Sequence, residues 1–213
     1  MAGAPSTLLI ACGALAWEIT ELIRRNGWHH MAVQCLPAHW HNTPARIPEA
    51  VRAKIRENRA RYQRIVVLYG DCGTGGLLDQ VLAEEGVERI DGPHCYQFFA
   101  GRAAFEALHD AEPGTFYLTD YLVKHFERLI IAGLGLDRHP ELRDDYFGNY
   151  RRLVYLAQTD DPALDAAAAA AAGRLGLAYE RRFTGYGELG TFMARGATAA
   201  EMPDGDADGR LLA

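Results

Sequence analysis

The chain has 213 residues, 49% of them hydrophobic, which is enough apolar material for a substantial core. Its net charge is −6 at pH 7, with acidic and basic residues mixed along most of its length, so no basic face is offered to a phosphate backbone or an anionic lipid, and nucleic acid is excluded as an expected partner. No run approaches the ~20 apolar residues that span a bilayer, and the start MAGAPST has no basic region of the export type, so a soluble, cytoplasmic protein without membrane association is expected.

Residues 8–11 read as a short buried strand, 14–26 as an amphipathic helix and 31–35 as a second strand. A helix near 44–61 follows; its basic stretch RAKIRENRARYQR suits a solvated face better than a binding arm. The pattern then returns, with a strand at 65–69, the loop GDCGTGG, a helix at 77–85 and a short strand at 88–91. Between this second unit and a third, a helical insertion is expected: Phe116, Leu118, Leu122, Phe126 and Leu129 recur at roughly helical spacing, GLGLDRHP ends the stretch, and a further helix covers 140–150. The third unit has a strand at 153–157, an alanine-rich helix at 163–175 and a strand at 178–183. Alternating elements predict an α/β fold with a mostly parallel sheet, built as one domain over residues 1–195 with pseudo-repeated units near 7–35, 64–91 and 152–183. The small and acidic residues of 196–213 predict a flexible tail.

Four cysteines without an export signal point to free thiols rather than a disulfide scaffold. Cys72 lies in a loop rich in glycine directly after a strand, where Gly70, Gly73 and Gly75 let the backbone turn tightly and approach a ligand; Asp71 in the same loop is a catalytic candidate. Cys12, followed by Gly13, holds the corresponding place in the first unit, and Cys95 follows the short strand of the second. Ligands of open α/β sheets bind at such carboxyl ends, so three thiols from separated segments are expected to face one cleft. Three thiolates suit zinc with an open fourth position, or a [4Fe-4S] cluster with one iron left for substrate. The same residues also read as small buried hydrophobes, or as a catalytic thiol that works without metal, with the helix after Cys72 favouring its thiolate. Cys35 ends a strand and is expected to point into packing.

His39 and His41, alternating in LPAHWHNTP, could complete a metal site or act as acid or base; His94 beside Cys95 could lower its pKa. Glu18 falls in the first turns after Cys12 and is a further acid or base candidate. Tyr117, Asp120 and Arg138 are candidates for substrate contact, in EPGTFYLTD and GLGLDRHP. The loop at Cys72 lacks the GK[ST] ending of a phosphate-binding P-loop and the spacing of GxGxxG.

Taken in order, ACGAL with Glu18, LPAHWHNTP, YGDCGTGG, PHCYQFFAG, EPGTFYLTD and GLGLDRHPEL resemble a bacterial and archaeal family known as domain of unknown function 1638, over nearly the whole chain except the tail. The resemblance makes Cys12, Cys72 and Cys95 the motif cysteines and leaves Cys35 outside them. Members are often found beside corrinoid-dependent methyltransferases for methylated amines, which implies a role in one-carbon metabolism. With the cysteine pattern read above, two expectations stand: a small-molecule enzyme with a metal held by cysteines, or an accessory protein of such a methyltransferase system; the DxHxxG pattern of the usual corrinoid carriers is absent. A looser likeness of layout links the chain to quinolinate synthase and the diphthamide-synthesis enzymes, whose three units each supply one cysteine to a cluster. Here the third unit ends its strand on Gln158 instead.

Overall fold

The computed structural model describes residues 6–201. All six residues of strand β1 (Thr7–Cys12) are buried, as expected of a central strand covered on both faces. It is followed by helix α1 (Ala16–Asn26), which buries Glu18, Ile19 and Leu22 against the sheet. Strand β2 (Met31–Leu36) then pairs parallel to β1, with Cys12 opposite Leu36. Helix α2 (Ile47–Asn58) leads to β3 (Arg64–Leu68), and α3 (Leu77–Glu85) to the two-residue β4 (Glu88–Arg89). The resulting parallel sheet has the order β2-β1-β3-β4. Its order reverses around β1 and β3, so the loops after these two strands leave its carboxyl edge side by side.

Two helices follow β4. The segment CYQFFA forms α4 (Cys95–Ala100), and after Gly101 the chain continues as α5 (Arg102–Ala111). Residues 115–119, placed by their spacing in a helical insertion, form strand β5 (Thr115–Thr119). In TFYLT the alternating β-branched and aromatic residues outweigh the wider helical spacing of Phe116, Leu118 and Leu122. The helix expected there starts only at α6 (Asp120–Lys124), where the Thr119 hydroxyl caps the Leu122 amide, and runs on into a π-helical turn over Glu127–Ile131. Helix α7 (Arg143–Phe147) precedes β6 (Arg152–Ala157). Asp161 accepts a hydrogen bond of 2.8 Å from the Ala163 amide and Pro162 opens α8 (Pro162–Leu175), a well-capped start for the alanine-rich helix. Strand β7 (Ala178–Phe183) completes a second parallel sheet, in the order β5-β6-β7, so the third unit pairs with β5 rather than joining the first two units in one sheet.

The last element, α9 (Gly187–Glu201), runs through the first residues of the expected tail; residues 202–213 lie outside the described residues. Leu189 and Met193 return to the core of the first sheet, beside Phe98 and Phe99 of α4. On the opposite side of α4, Tyr96 and Ala100 pack on Tyr117, Val154 and Leu156 of the second sheet. The helix that starts with Cys95 is thus the seam between the two sheets. No helix among the described residues is long and apolar enough to cross a membrane.

Candidate functional site

A cavity of about 220 Å³ opens between the carboxyl ends of the first sheet and the second half of the chain. One wall carries Cys72, Cys95, His39, His41, Asn42 and His94, and the other carries Phe116, Thr119, Tyr121, Leu122, Leu129 and Ile130. Cys12, 3% exposed, lies just beneath the first wall.

Each sulfur is held by a local device. Cys12 is the last residue of β1, and its Sγ accepts from the Ala14 amide at 3.4 Å as the chain turns into α1. Cys72 adopts φ +49°, a left-handed conformation rare for a side chain of its kind, and its amide donates to the Pro93 carbonyl oxygen at 2.8 Å. The neighbouring Asp71 amide donates to the Gly92 carbonyl at 3.1 Å, which ties the glycine loop to the segment that leads into Cys95. Gly70 makes this approach possible, since a Cβ there would stand 2.9 Å from the Pro93 carbonyl oxygen and 3.0 Å from the His94 nitrogen. Cys95 begins α4 and is half-buried.

His41 joins the sulfurs. Its Nδ1 lies 2.9 Å from the Ala38 carbonyl oxygen and 3.8 Å from Cys12 Sγ. A carbonyl only accepts, so Nδ1 carries the hydrogen and Nε2 is the basic nitrogen. The Cys72 sulfur acts on the same ring and pushes its pKa up against the opposing effect of burial. The buried Tyr69 hydroxyl, one residue past β3, has no hydrogen-bond partner among the described residues and lies near enough to Cys12 to lower its pKa.

Burial raises the pKa of Cys12, an effect only partly offset by the Ala14 amide and the Tyr69 hydroxyl. The Cys95 thiol is pushed well up, first by burial and then by the negative charge of Cys72, Cys12 and Glu18; the lowering anticipated from His94 is not found. His94 itself is lowered by burial and by the nearby His41. Cys12 and Cys72 thus both act on Cys95, and Cys72 acts on the imidazole that stands 3.8 Å from Cys12 Sγ. Sulfur and imidazole form a donor set that suits zinc or iron. As the side chains stand, however, no group of three or more His, Cys, Asp or Glu among the described residues is placed to hold an ion.

The other sequence candidates fall in varied places. Glu18 is 2% exposed, its Oε2 has no hydrogen-bond partner among the described residues, and burial pushes its carboxyl up to about 7. Asp71 works within its own loop: its carboxylate accepts from the Thr74 hydroxyl at 2.6 Å, the Gly76 amide at 2.8 Å and the Gly75 amide at 3.2 Å. Those bonds outweigh burial and lower its pKa. They also occupy amides that a phosphate would need, while Gly73 and Gly75 face solvent. Gly13 packs against the Leu36 carbonyl, 3.1 Å from where its Cβ would stand. His39 lines the cavity.

Asp120 is fully buried, and its carboxylate accepts from Tyr155 Oη at 2.7 Å, the Gln158 and Thr159 amides at 3.0 and 3.1 Å, and Thr159 Oγ1 at 2.6 Å. It clamps the ends of β5 and β6 rather than facing the cavity. Tyr117 stacks against Phe105 and Tyr96 with ring centroids 5.2 and 5.4 Å away, on the far side of the second sheet from the cavity wall at Phe116. Arg138 is exposed beside Asp137 at 3.9 Å. Cys35 does not point into packing; it is exposed and shares a surface groove with Gln34 and Asn58. Tyr69 and the apolar wall at Leu129 and Ile130 had no place among the sequence candidates, because an aromatic at a strand end and aliphatics in a helical stretch read as core.

A family model described as "Protein of unknown function (DUF1638)" matches residues 35–193. The matched segment contains Cys72, Cys95, His39 and His41, and starts after Cys12 and Glu18. No curated protein and no solved structure shows a significant match to the chain.

Proposed function

The chain belongs to the domain of unknown function 1638 family, and from the site its residues build we propose that it is a small-molecule enzyme whose chemistry is centred on Cys72, Cys12, Cys95 and His41. The observation that carries this reading is the imidazole of His41, 3.8 Å from Cys12 Sγ and lining the same small, largely apolar cavity as Cys72. A thiol beside a basic imidazole can hand over its proton; the thiolate then forms a sulfur–carbon bond to an electrophilic carbon of the bound molecule as that carbon's bond to its heteroatom breaks, and the departing heteroatom takes the proton from the imidazole. Cys72 is the nucleophile of choice: it lines the cavity, its strained backbone is fixed by the Pro93 carbonyl, and it acts on His41, which lines the same cavity. Backbone strain of this kind is concentrated at functional sites. A methyl carbon on a heteroatom is one such electrophile, and it is the carbon that a place in one-carbon metabolism, implied by the family's resemblance above, would supply.

A second reading gives the three cysteines a metal. Its support is the donor chemistry and the electrostatic pressure of Cys12 and Cys72 on Cys95, which a cation held between them would relieve. Zinc or a [4Fe-4S] cluster would then require the sulfurs to draw together from their present positions.

One experiment separates these. Protein purified without oxygen is assayed for zinc, iron and visible absorption, in parallel with Cys12→Ala, Cys72→Ala and Cys95→Ala, and the parent is titrated with iodoacetamide with the modified sites located by mass spectrometry. Metal-free protein with fast alkylation of Cys72 supports the thiol enzyme. Stoichiometric metal lost in each variant supports the metal centre. Metal-free protein with three unreactive thiols overturns both, and copurification with a methyltransferase would then favour an accessory role.

A further inference from the structure

The thiol wall faces a second wall whose composition speaks to the ligand. Phe116, Leu122, Leu129 and Ile130 are all half-buried, unlike the aliphatic residues of the adjoining core, and all line the cavity. Leu129 and Ile130 belong to the π-helical turn over Glu127–Ile131. A π turn inserts one residue into a helical register and re-aims the side chains it carries, and such turns are frequent at functional sites. Here the two re-aimed side chains are the ones that meet the cavity, while Ile131 stays in the core at 2% exposed.

Charge is missing from the lining: among the described residues no lysine, arginine, aspartate or glutamate borders this cavity. An anionic ligand would have to be met by imidazoles alone, and an ammonium ligand would find no carboxylate. An apolar cavity of roughly 150 Å³ accommodates benzene, so the ~220 Å³ found here takes a ring of that size and a few further atoms.

Resting on the thiol-centred reading above, we infer that the substrate is a small uncharged molecule with an apolar body about the size of a phenyl ring, seated on Leu129 and Ile130, with its polar end toward Cys72 and His41. The π turn is then the specificity wall of the site, and the thiol cluster its reacting wall.

The test uses the full chain and three probes of equal size: benzyl alcohol, benzoate and benzylammonium. Binding is followed by calorimetry and by nuclear Overhauser contacts from the ring protons to the methyl groups of Leu129 and Ile130. The expected result is that benzyl alcohol binds at least tenfold tighter than either ion, shows those contacts, and loses at least tenfold in affinity in Ile130→Trp. Leu122→Phe, on the neighbouring helix, narrows the same cavity and should weaken binding too if Ile130→Trp fails to fold. Tighter binding of benzoate or benzylammonium, binding of none of the probes, or benzyl alcohol bound without contacts to Leu129 and Ile130 overturns the inference. Metal content and alkylation do not depend on the apolar wall. Selective binding of the neutral probe by a metal-free protein with unreactive thiols would therefore sink the thiol-centred reading and leave this one standing.

Discussion

His41 Nδ1 stands 3.8 Å from Cys12 Sγ although 29 residues separate them. The contact depends on two loops at adjacent strand ends, since Cys12 closes β1 and His41 lies in the short helical segment after β2. Cys72, after β3, lines the same cavity as the ring and raises its pKa, so one imidazole lies at the carboxyl ends of three parallel strands.

Replacement of His41 therefore tests whether the ring sets thiol reactivity. In His41→Gln the basic ring that takes the Cys72 proton is removed, and the rate of Cys72 alkylation by iodoacetamide at pH 7 should fall by at least about tenfold. Cys12, at 3% exposed, should stay unmodified in both proteins. Site-resolved mass spectrometry over a time course gives both rates; equal Cys72 rates would show that the imidazole does not activate it.

Glu18 predicts a pH signature. Its folded pKa is pushed up to about 7 by burial, from an ordinary value of 4.5. Between these pH values the folded state keeps a proton that the unfolded chain has released, so stability falls as pH rises through this window and levels off above it. The loss is on the order of 3 kcal/mol. Glu18→Gln cannot ionise, so it should match the parent near pH 4.5 and exceed it by that order at pH 8 in urea unfolding. Parallel pH profiles for the two proteins would show that the carboxyl is not held neutral in the folded state.

How much of this was legible can be judged residue by residue. Strand ends were visible because apolar runs such as LLIA and IVVLY stop abruptly at cysteine or glycine, and that placed Cys12 and Cys72 on one edge. Residues 115–119 were misjudged because Phe116 and Leu118 fit a strand while Leu122, Phe126 and Leu129 continue at helical spacing, and local periodicity does not say where one period yields to the other. Helix α4 spans only six residues between turns, too few to show a period. The π turn has no sequence pattern to announce it, since it depends on how the end of α6 settles against the second core. Tyr69 was hidden for another reason: a buried phenol is ordinary in a strand, and only its orphan hydroxyl beside a thiol marks it out.

Gly70→Ala tests the contact between the two cysteine loops. The new methyl would meet the Pro93 carbonyl oxygen at 2.9 Å and backbone of the same segment at 3.0 Å, atoms that cannot swing aside as a flexible side chain would. Overpacking of this kind costs about 1–3 kcal/mol. The expected outcome is a lower urea midpoint at unchanged slope, together with altered alkylation of both Cys72 and Cys95. A midpoint equal to that of the parent would mean the loops are not packed together as described.

Asp120→Asn tests the clamp at the other side of the cavity. The Asp120 carboxylate gathers four donors, two of them backbone amides that begin the loop after β6, and the Asp120 amide in turn donates to Gln158 Oε1 at 2.7 Å. An asparagine of the same shape keeps one acceptor oxygen but turns an NH2 group toward donors, so at least one donor is left buried and unpaired while the remaining bonds lose their charge. Each lost bond to a charged group is worth about 1.5–3 kcal/mol, and a destabilisation of at least about 2 kcal/mol is expected from urea unfolding. Because Asp120 does not line the cavity whereas its neighbour Thr119 does, the effect on probe binding should be small while the protein remains folded. A stable variant that loses benzyl alcohol binding would move Asp120 from the clamp to the ligand.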